Sequence, residues 1–222
     1  MKKAIITGAS SGLGKEIATR LLEKGVHVIN LSRTESSLDV VTIPTDLTKH
    51  EDIVNALQII KNDHQDVDLL ILNAGVLHRH VVGETPLTEV DSDFAVNVMG
   101  AIKLTDGLVS FITKNRGDIV FVGSTSSFVT HAETSVYNAA KHAVLGYVKS
   151  LQTELKKENV RVIGFYPGGF QSQLHINAGS NLSEKELMNP NDLSKLLMST
   201  LEMPRGMQVS QVIIDRKKAG MS

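Results

Sequence analysis

Ile5-Ile6-Thr7-Gly8-Ala9-Ser10-Ser11-Gly12-Leu13-Gly14 leads from a short apolar run through a glycine-rich turn into a segment of helical period. Glycines at positions 8, 12 and 14 let the backbone turn tightly and approach a pyrophosphate. A helix opening at Leu13 would then present its free N–H groups to that anion. The spacing G-x-x-x-G-x-G differs from the G-x-G-x-x-G of most dinucleotide folds. The strand before it and the helix after it are what make it a phosphate-binding turn instead of an ordinary loop. Ser10 and Ser11 sit within the turn and join Gly8, Gly12, Leu13 and Gly14 as candidate cofactor contacts.

Outward from this turn, short apolar segments alternate with longer segments of period 3.6. Strands are expected at 4–6, 26–31, 40–43, 67–72, 118–122, 160–165 and 209–214, all rich in β-branched residues and mostly apolar on both faces. Helices are expected over 13–23, 51–62, 93–113, 135–157 and from Pro190 to about Leu201. Alternation from end to end predicts an α/β fold: a doubly wound, Rossmann-type parallel sheet of about seven strands with helices on both faces. With no repeat or linker to divide it, the chain reads as one nucleotide-binding domain over 1–222. The polar, glycine-bearing stretch 168–189 reads as a substrate-side loop carrying a short helix.

Bulk properties narrow the function. At 222 residues with 41% apolar and 21% charged side chains, the chain can bury a full core. A net charge of -1 and 4% aromatics give neither the basic excess nor the stacking platform of a nucleic-acid binder. Zero cysteines exclude disulfides, thiolate catalysis and cysteine metal sites. The N-terminus lacks a signal-peptide core, and no run approaches the roughly 18 uninterrupted apolar residues of a membrane span. A cytoplasmic chain is expected, with the sequon Asn181-Leu182-Ser183 unglycosylated and Arg216-Lys217-Lys218 a solvated tail.

The second strand ends at Leu31-Ser32-Arg33, where an NAD-preferring site usually carries an acidic residue for the ribose 2′-hydroxyl. Ser32 and Arg33 instead suit a 2′-phosphate, so NADP(H) is expected over NAD(H). Asp46-Leu47, after the third strand, is placed to meet the adenine edge. Asn73-Ala74-Gly75, ending the fourth, has the small residues that let backbone pass close to a ligand.

Tyr137 and Lys141, four apart in Thr134-Ser135-Val136-Tyr137-Asn138-Ala139-Ala140-Lys141, share one helix face. A nearby ammonium is expected to draw the phenol down from about 10 toward the working pH. The ordered set T-G-x-x-x-G-x-G, N-A-G, a serine after the fifth strand, Y-x-x-x-K and P-G resembles the short-chain dehydrogenase/reductase family from Ile5 to about Ile214. The resemblance implies an oxidoreductase with Tyr137 as general acid/base and Lys141 also holding the nicotinamide ribose. It implies Ser124 orienting the substrate oxygen, with Ser126 and Ser127 close by in sequence. Asn97, polar within Phe94-Ala95-Val96-Asn97-Val98-Met99, would hold a water of the proton relay, although a packing role would also account for a buried asparagine. Pro167 and Gly168 would bend over the nicotinamide, and Ser172, where the family commonly has threonine, would bond the carboxamide.

His78-Arg79-His80 has no third ligand nearby and reads as lining the site entrance, not as a metal pair. Phe128, His131, Leu174 and His175 are candidates for the substrate surface. The partner expected is a small carbonyl or alcohol, and the resemblance implies a homodimer or homotetramer. An NADP(H)-binding redox sensor or signalling protein that keeps the site is the competing reading. A sugar-nucleotide epimerase would need a C-terminal substrate domain.

Overall fold

Seven parallel strands in the order β3-β2-β1-β4-β5-β6-β7 form the sheet of the computed structural model, which describes residues 1–179 and 186–216. The strands are β1 Lys3–Thr7, β2 His27–Ser32, β3 Val41–Pro44, β4 Leu69–Leu72, β5 Asp118–Val122, β6 Arg161–Pro167 and β7 Gln211–Ile214. The order reverses beside β1: β2 and β3 lie to one side, β4 to β7 to the other. At such a switch point the loops leaving neighbouring strands diverge and open a crevice at the carboxyl edge.

Alternate side chains of each strand serve two separate cores. Ile5, Leu70, Ile119 and Phe121 face one layer with α2 (His50–Asp63), α4 (Gly100–Lys114) and α5 (Ser135–Glu154). Ala4, Ile6, Ile71 and Val120 face the other with α1 (Gly12–Glu23) and α7 (Pro190–Leu201). Burial on both faces is why these strands read as continuous apolar runs instead of alternating ones.

The helix expected from Asp93 begins earlier. α3 spans Leu87–Phe94 with Pro86 at its N-cap, passes through a π-helical turn at Ala95–Met99 and continues as α4. The run Leu87–Lys114 is long and apolar enough to cross a membrane, but Leu104, Leu108 and Ile112 are buried against the sheet, making it a core helix. The helix expected to reach Lys157 closes at Glu154 and tightens into a 3₁₀ turn, Leu155–Glu158. In the stretch 168–189, α6 (Gln173–Asn177) supplies a short helix, and Phe170 bridges to Met188. Asn181-Leu182-Ser183, Lys217-Lys218 and the side chain of His175 lie outside the described residues.

At the amino edge of the sheet, Asp118 is 2% exposed and takes a bidentate contact from Arg161, Nε at 2.8 Å and Nη2 at 2.6 Å. Arg205 closes on the same carboxylate. This charged cluster ties the loop after α7 to β5 and β6, at the end of the strands away from the crevice.

Candidate active site

The glycine turn leaves β1 with Gly8 and Gly12 at φ +73° and +52°, where side chains are disfavoured. A Cβ on Gly14 would meet the Gly8 carbonyl oxygen at 2.2 Å, so helix and turn pack together only without one. Ser11, the N-cap of α1, makes no side-chain cap bond, and the first turn holds no acidic residue. The helix therefore offers open N–H groups to an anion. Asn30, fully buried in β2, braces the turn by accepting from Ala9 N at 2.9 Å. A polar residue inside an apolar strand was the signal for it.

Asn73, Ala74 and Gly75 are lashed to the end of β1. The amides of Asn73 and Ala74 both donate to Thr7 Oγ1 at 2.9 Å, and Asn73 Nδ2 donates to Thr7 O at 3.0 Å. Asp46 shapes the turn before α2 by accepting on Oδ1 from Thr48 N and Oγ1, and Leu47 packs against the core beside Gly100.

Tyr137 and Lys141 lie together, 8% and 4% exposed, with Lys141 Nζ 5.4 Å from the Tyr137 ring centroid. Burial pushes the Tyr137 hydroxyl up to about 12, against a hydrogen-bonding contact with Ser124 that draws it down. The expected lowering of the phenol is thus reversed. Dehydration penalises the phenolate more than its neighbours reward it, and the same dehydration takes Lys141 down to about 8. Among the three serines the geometry discriminates: Ser124 meets Tyr137, Ser127 Oγ donates to Lys141 O at 2.9 Å, and Ser126 N donates to Ser124 Oγ at 3.1 Å. Asn97 sits in the π turn with both Nδ2 hydrogens donated, to Val76 O and Asp93 O, while Oδ1 accepts from Val76 N at 3.3 Å. Its amide pins the loop after β4 to the helix.

A cleft of about 470 Å³ joins Ser124, Tyr137 and Lys141 to Pro167, Gly168 and Ser172. Its size suits a small molecule. The family model for short chain dehydrogenase matches residues 2–183. The chain belongs to the short-chain dehydrogenase family. Among relatives of this family, an uncharacterized oxidoreductase of Staphylococcus aureus is 27% identical over 224 residues, covering 96% of each chain. A short chain dehydrogenase family protein from Francisella tularensis superimposes with a TM-score of 0.85 at 28% identity, covering 97% of each chain. The alcohol dehydrogenase of Thermococcus sibiricus, complexed with 5-hydroxy-NADP, has the same fold with a TM-score of 0.87 at 22% identity and 96% coverage of each chain.

Within this short-chain dehydrogenase the remaining candidates separate. Arg33 is exposed, whereas Ser32 is buried with its hydroxyl donated to Thr34 O at 2.5 Å. Of the two, Arg33 is the one left exposed. His78 and His80 do not line the entrance as expected. Their rings turn to α3, where Nδ1 of His78 meets Asp93 at 2.9 Å and Nε2 of His80 meets Glu89 at 2.6 Å. Arg79 alone of the three reaches the cleft, with its Nη2 2.9 Å from Glu133. His131, Phe170 and Leu174 line the cleft, and Phe128 stacks edge-on against Tyr166 at 5.0 Å. The residue that sequence reasoning missed is Asp93: a carboxylate 1% exposed whose charge acts on both Tyr137 and Lys141.

Proposed function

We propose that this short-chain dehydrogenase is an NADP(H)-dependent oxidoreductase interconverting a carbonyl and an alcohol. The observation that carries the reading is the meeting of Ser124, Tyr137 and Lys141 in one cleft beside the glycine turn. The chain also fits a dinucleotide. Ser172 Oγ is buried with no partner among the described residues, and the glycine turn is a cradle that a Cβ on Gly14 would fill. Gly8, Ser10, Ser11, Gly12 and Leu13 would hold the pyrophosphate and Arg33 a 2′-phosphate. Asp46 and Leu47 would face the adenine, with Asn73, Ala74, Gly75, Pro167, Gly168 and Ser172 around the nicotinamide half. When bound, the nicotinamide supplies or accepts the hydride.

The chain itself handles the oxygen. Ser124 donates a hydrogen bond to it and Tyr137 gives it the proton as negative charge develops. Lys141 stands by the Tyr137 ring, where its ammonium would also hold the ribose hydroxyls of the nicotinamide half. A hydroxyl held near 12 keeps its proton throughout the neutral range, the state from which it can serve as donor in carbonyl reduction. The substrate-facing wall formed by Leu77, Ala132, Phe170 and Leu174 is apolar. A homodimer or homotetramer is supported by the exposed apolar side chains of Leu87, Phe94 and Met99 along the same helical run.

The test is a spectrophotometric screen of NADPH oxidation across ketones and aldehydes. Turnover of a carbonyl supports the reading. Tight NADPH binding without oxidation by any carbonyl favours the redox-sensor alternative.

A further inference from the structure

His78, Arg79 and His80 follow β4 and Asn73-Ala74-Gly75, and their side chains take opposite sides. Nδ1 of His78 meets Asp93 Oδ1 at 2.9 Å and Nε2 of His80 meets Glu89 Oε2 at 2.6 Å, two carboxylates one turn apart on α3. With both neighbours held there, Arg79 faces the cleft, where its Nη2 stands 2.9 Å from Glu133 Oε2. The main chain repeats the tie, His80 N donating to Glu133 O at 2.8 Å. Glu133 adopts φ +63°, a left-handed conformation that residues other than glycine enter rarely. It stands two residues before α5, whose third residue is Tyr137. A guanidinium is thus anchored beside the start of the helix that carries the phenol.

The charges around the cleft have one sign. Arg79, Lys141 and Arg216 line it, and among the described residues no aspartate or glutamate does. Lys141 belongs to the Tyr137 end of the site. Arg216 follows β7 on the opposite flank, its N 3.5 Å from where a Gly168 Cβ would stand, and its Nη1 is donated to Glu186 O at 3.0 Å. The Arg79 side chain is 34% exposed and gives Nη2 to Glu133, and the rest of its fork has no hydrogen bond among the described residues. A guanidinium presents five N–H donors, so it can serve a second carboxylate beside the first. Between the two flanks, Leu77, Ala132, Phe170 and Leu174 give the wall its apolar character. We propose that the substrate is an oxo acid, a carbonyl compound with an apolar body and a carboxylate, and that Arg79 is the specificity-determining residue that receives the carboxylate. The inference deepens the carbonyl chemistry proposed above and rests on it.

The test compares levulinate and its longer straight-chain oxo-acid homologues with their methyl esters, which keep the ketone and remove the charge. With NADPH, the wild type should favour the best acid over its ester by about tenfold or more in kcat/KM, the worth of a charged hydrogen bond. In Arg79→Gln that ratio should collapse toward one. Arg79→Lys, which keeps the charge and loses the fork, should restore part of it, and Arg216→Gln should lower it by less than R79Q does. Equal use of acids and esters by the wild type overturns the proposal. So does a preference that survives in R79Q or is lost in R216Q in its place. A second readout needs no turnover: hexanoate titrated calorimetrically into the protein, alone and with NADPH present. Binding is expected that weakens by about tenfold in R79Q and fades as salt rises. Hexyl phosphate bound more tightly than hexanoate would overturn the carboxylate assignment. Hexanoate held through Arg79 by a protein that reduces no carbonyl would defeat the proposed function and leave the anion site standing. Ketone esters reduced by a protein that binds no hexanoate would do the reverse.

Discussion

Lys141 Nζ stands 5.4 Å from the centre of the Tyr137 ring, and both side chains are buried. The one-turn separation in sequence places them on one face of α5, and the sheet beneath removes them from water. Burial keeps the phenol protonated through the neutral range and brings Lys141 down to about 8, so below about pH 8 an ammonium stands beside a neutral phenol.

Removing the phenolic oxygen alone tests that role. Tyr137→Phe should lower kcat for carbonyl reduction by about 10²–10⁴-fold, the usual contribution of a positioned acid. NADPH affinity, measured by quenching or protection of its fluorescence, should change little. Near-normal turnover in Y137F would end the mechanism.

The pH dependence follows from Lys141, whose value falls from 10.5 to about 8 on burial. Above about pH 8 the folded protein loses the ammonium, so kcat/KM for reduction should fall there, with Tyr137 still protonated up to about 12. Stability moves the other way. Between 8 and 10.5 the unfolded chain holds the lysine proton and the folded chain does not, so this residue makes the fold more stable as pH rises. In Lys141→Met that rise should flatten in urea titrations taken at several pH values, while activity is lost.

In the proposed NADP(H) reading Arg33 is the residue that would meet a 2′-phosphate, because the Ser32 hydroxyl is committed to Thr34. Arg33→Asp should weaken NADPH binding by about tenfold or more and narrow or invert the preference over NADH, since a carboxylate repels the phosphate and accepts from a ribose hydroxyl. Calorimetric titration of both cofactors against both proteins checks it. A wild type that binds NADH more tightly would sink the assignment.

At the far end of the strands, Asp118 answers two arginines, one of them Arg161, whose side chain is 7% exposed. Asp118→Ala strands Arg161 as a buried, uncompensated charge and should cost about 3–5 kcal/mol by equilibrium denaturation. The same variant, if assayed well below its melting temperature, should keep its cofactor affinity. A loss under about 1 kcal/mol would show that Arg161 finds solvent or other partners.

The strand-helix alternation, the glycine turn and the Tyr137–Lys141 pair were legible because each depends on local pattern. Periodicity reports which faces are buried, and a single helical turn determines which side chains are neighbours. Boundaries were less legible. The start of α3 at Leu87 and the π turn at Ala95–Met99 accompany Asn97 reaching across to Val76, a contact between residues of different elements.

By itself, then, the sequence determined the parallel sheet, the turn that suits a dinucleotide and the identity of the residues gathered at its edge. Only the tertiary structure decided their electrostatic state. Burial raises Tyr137 instead of lowering it, separates Ser124 from Ser126 and Ser127, takes the Ser32 hydroxyl out of use, and turns His78 away from the cleft toward Asp93. These outcomes depend on dehydration and on partners far apart in the chain, and neither is written in the spacing of residues along it.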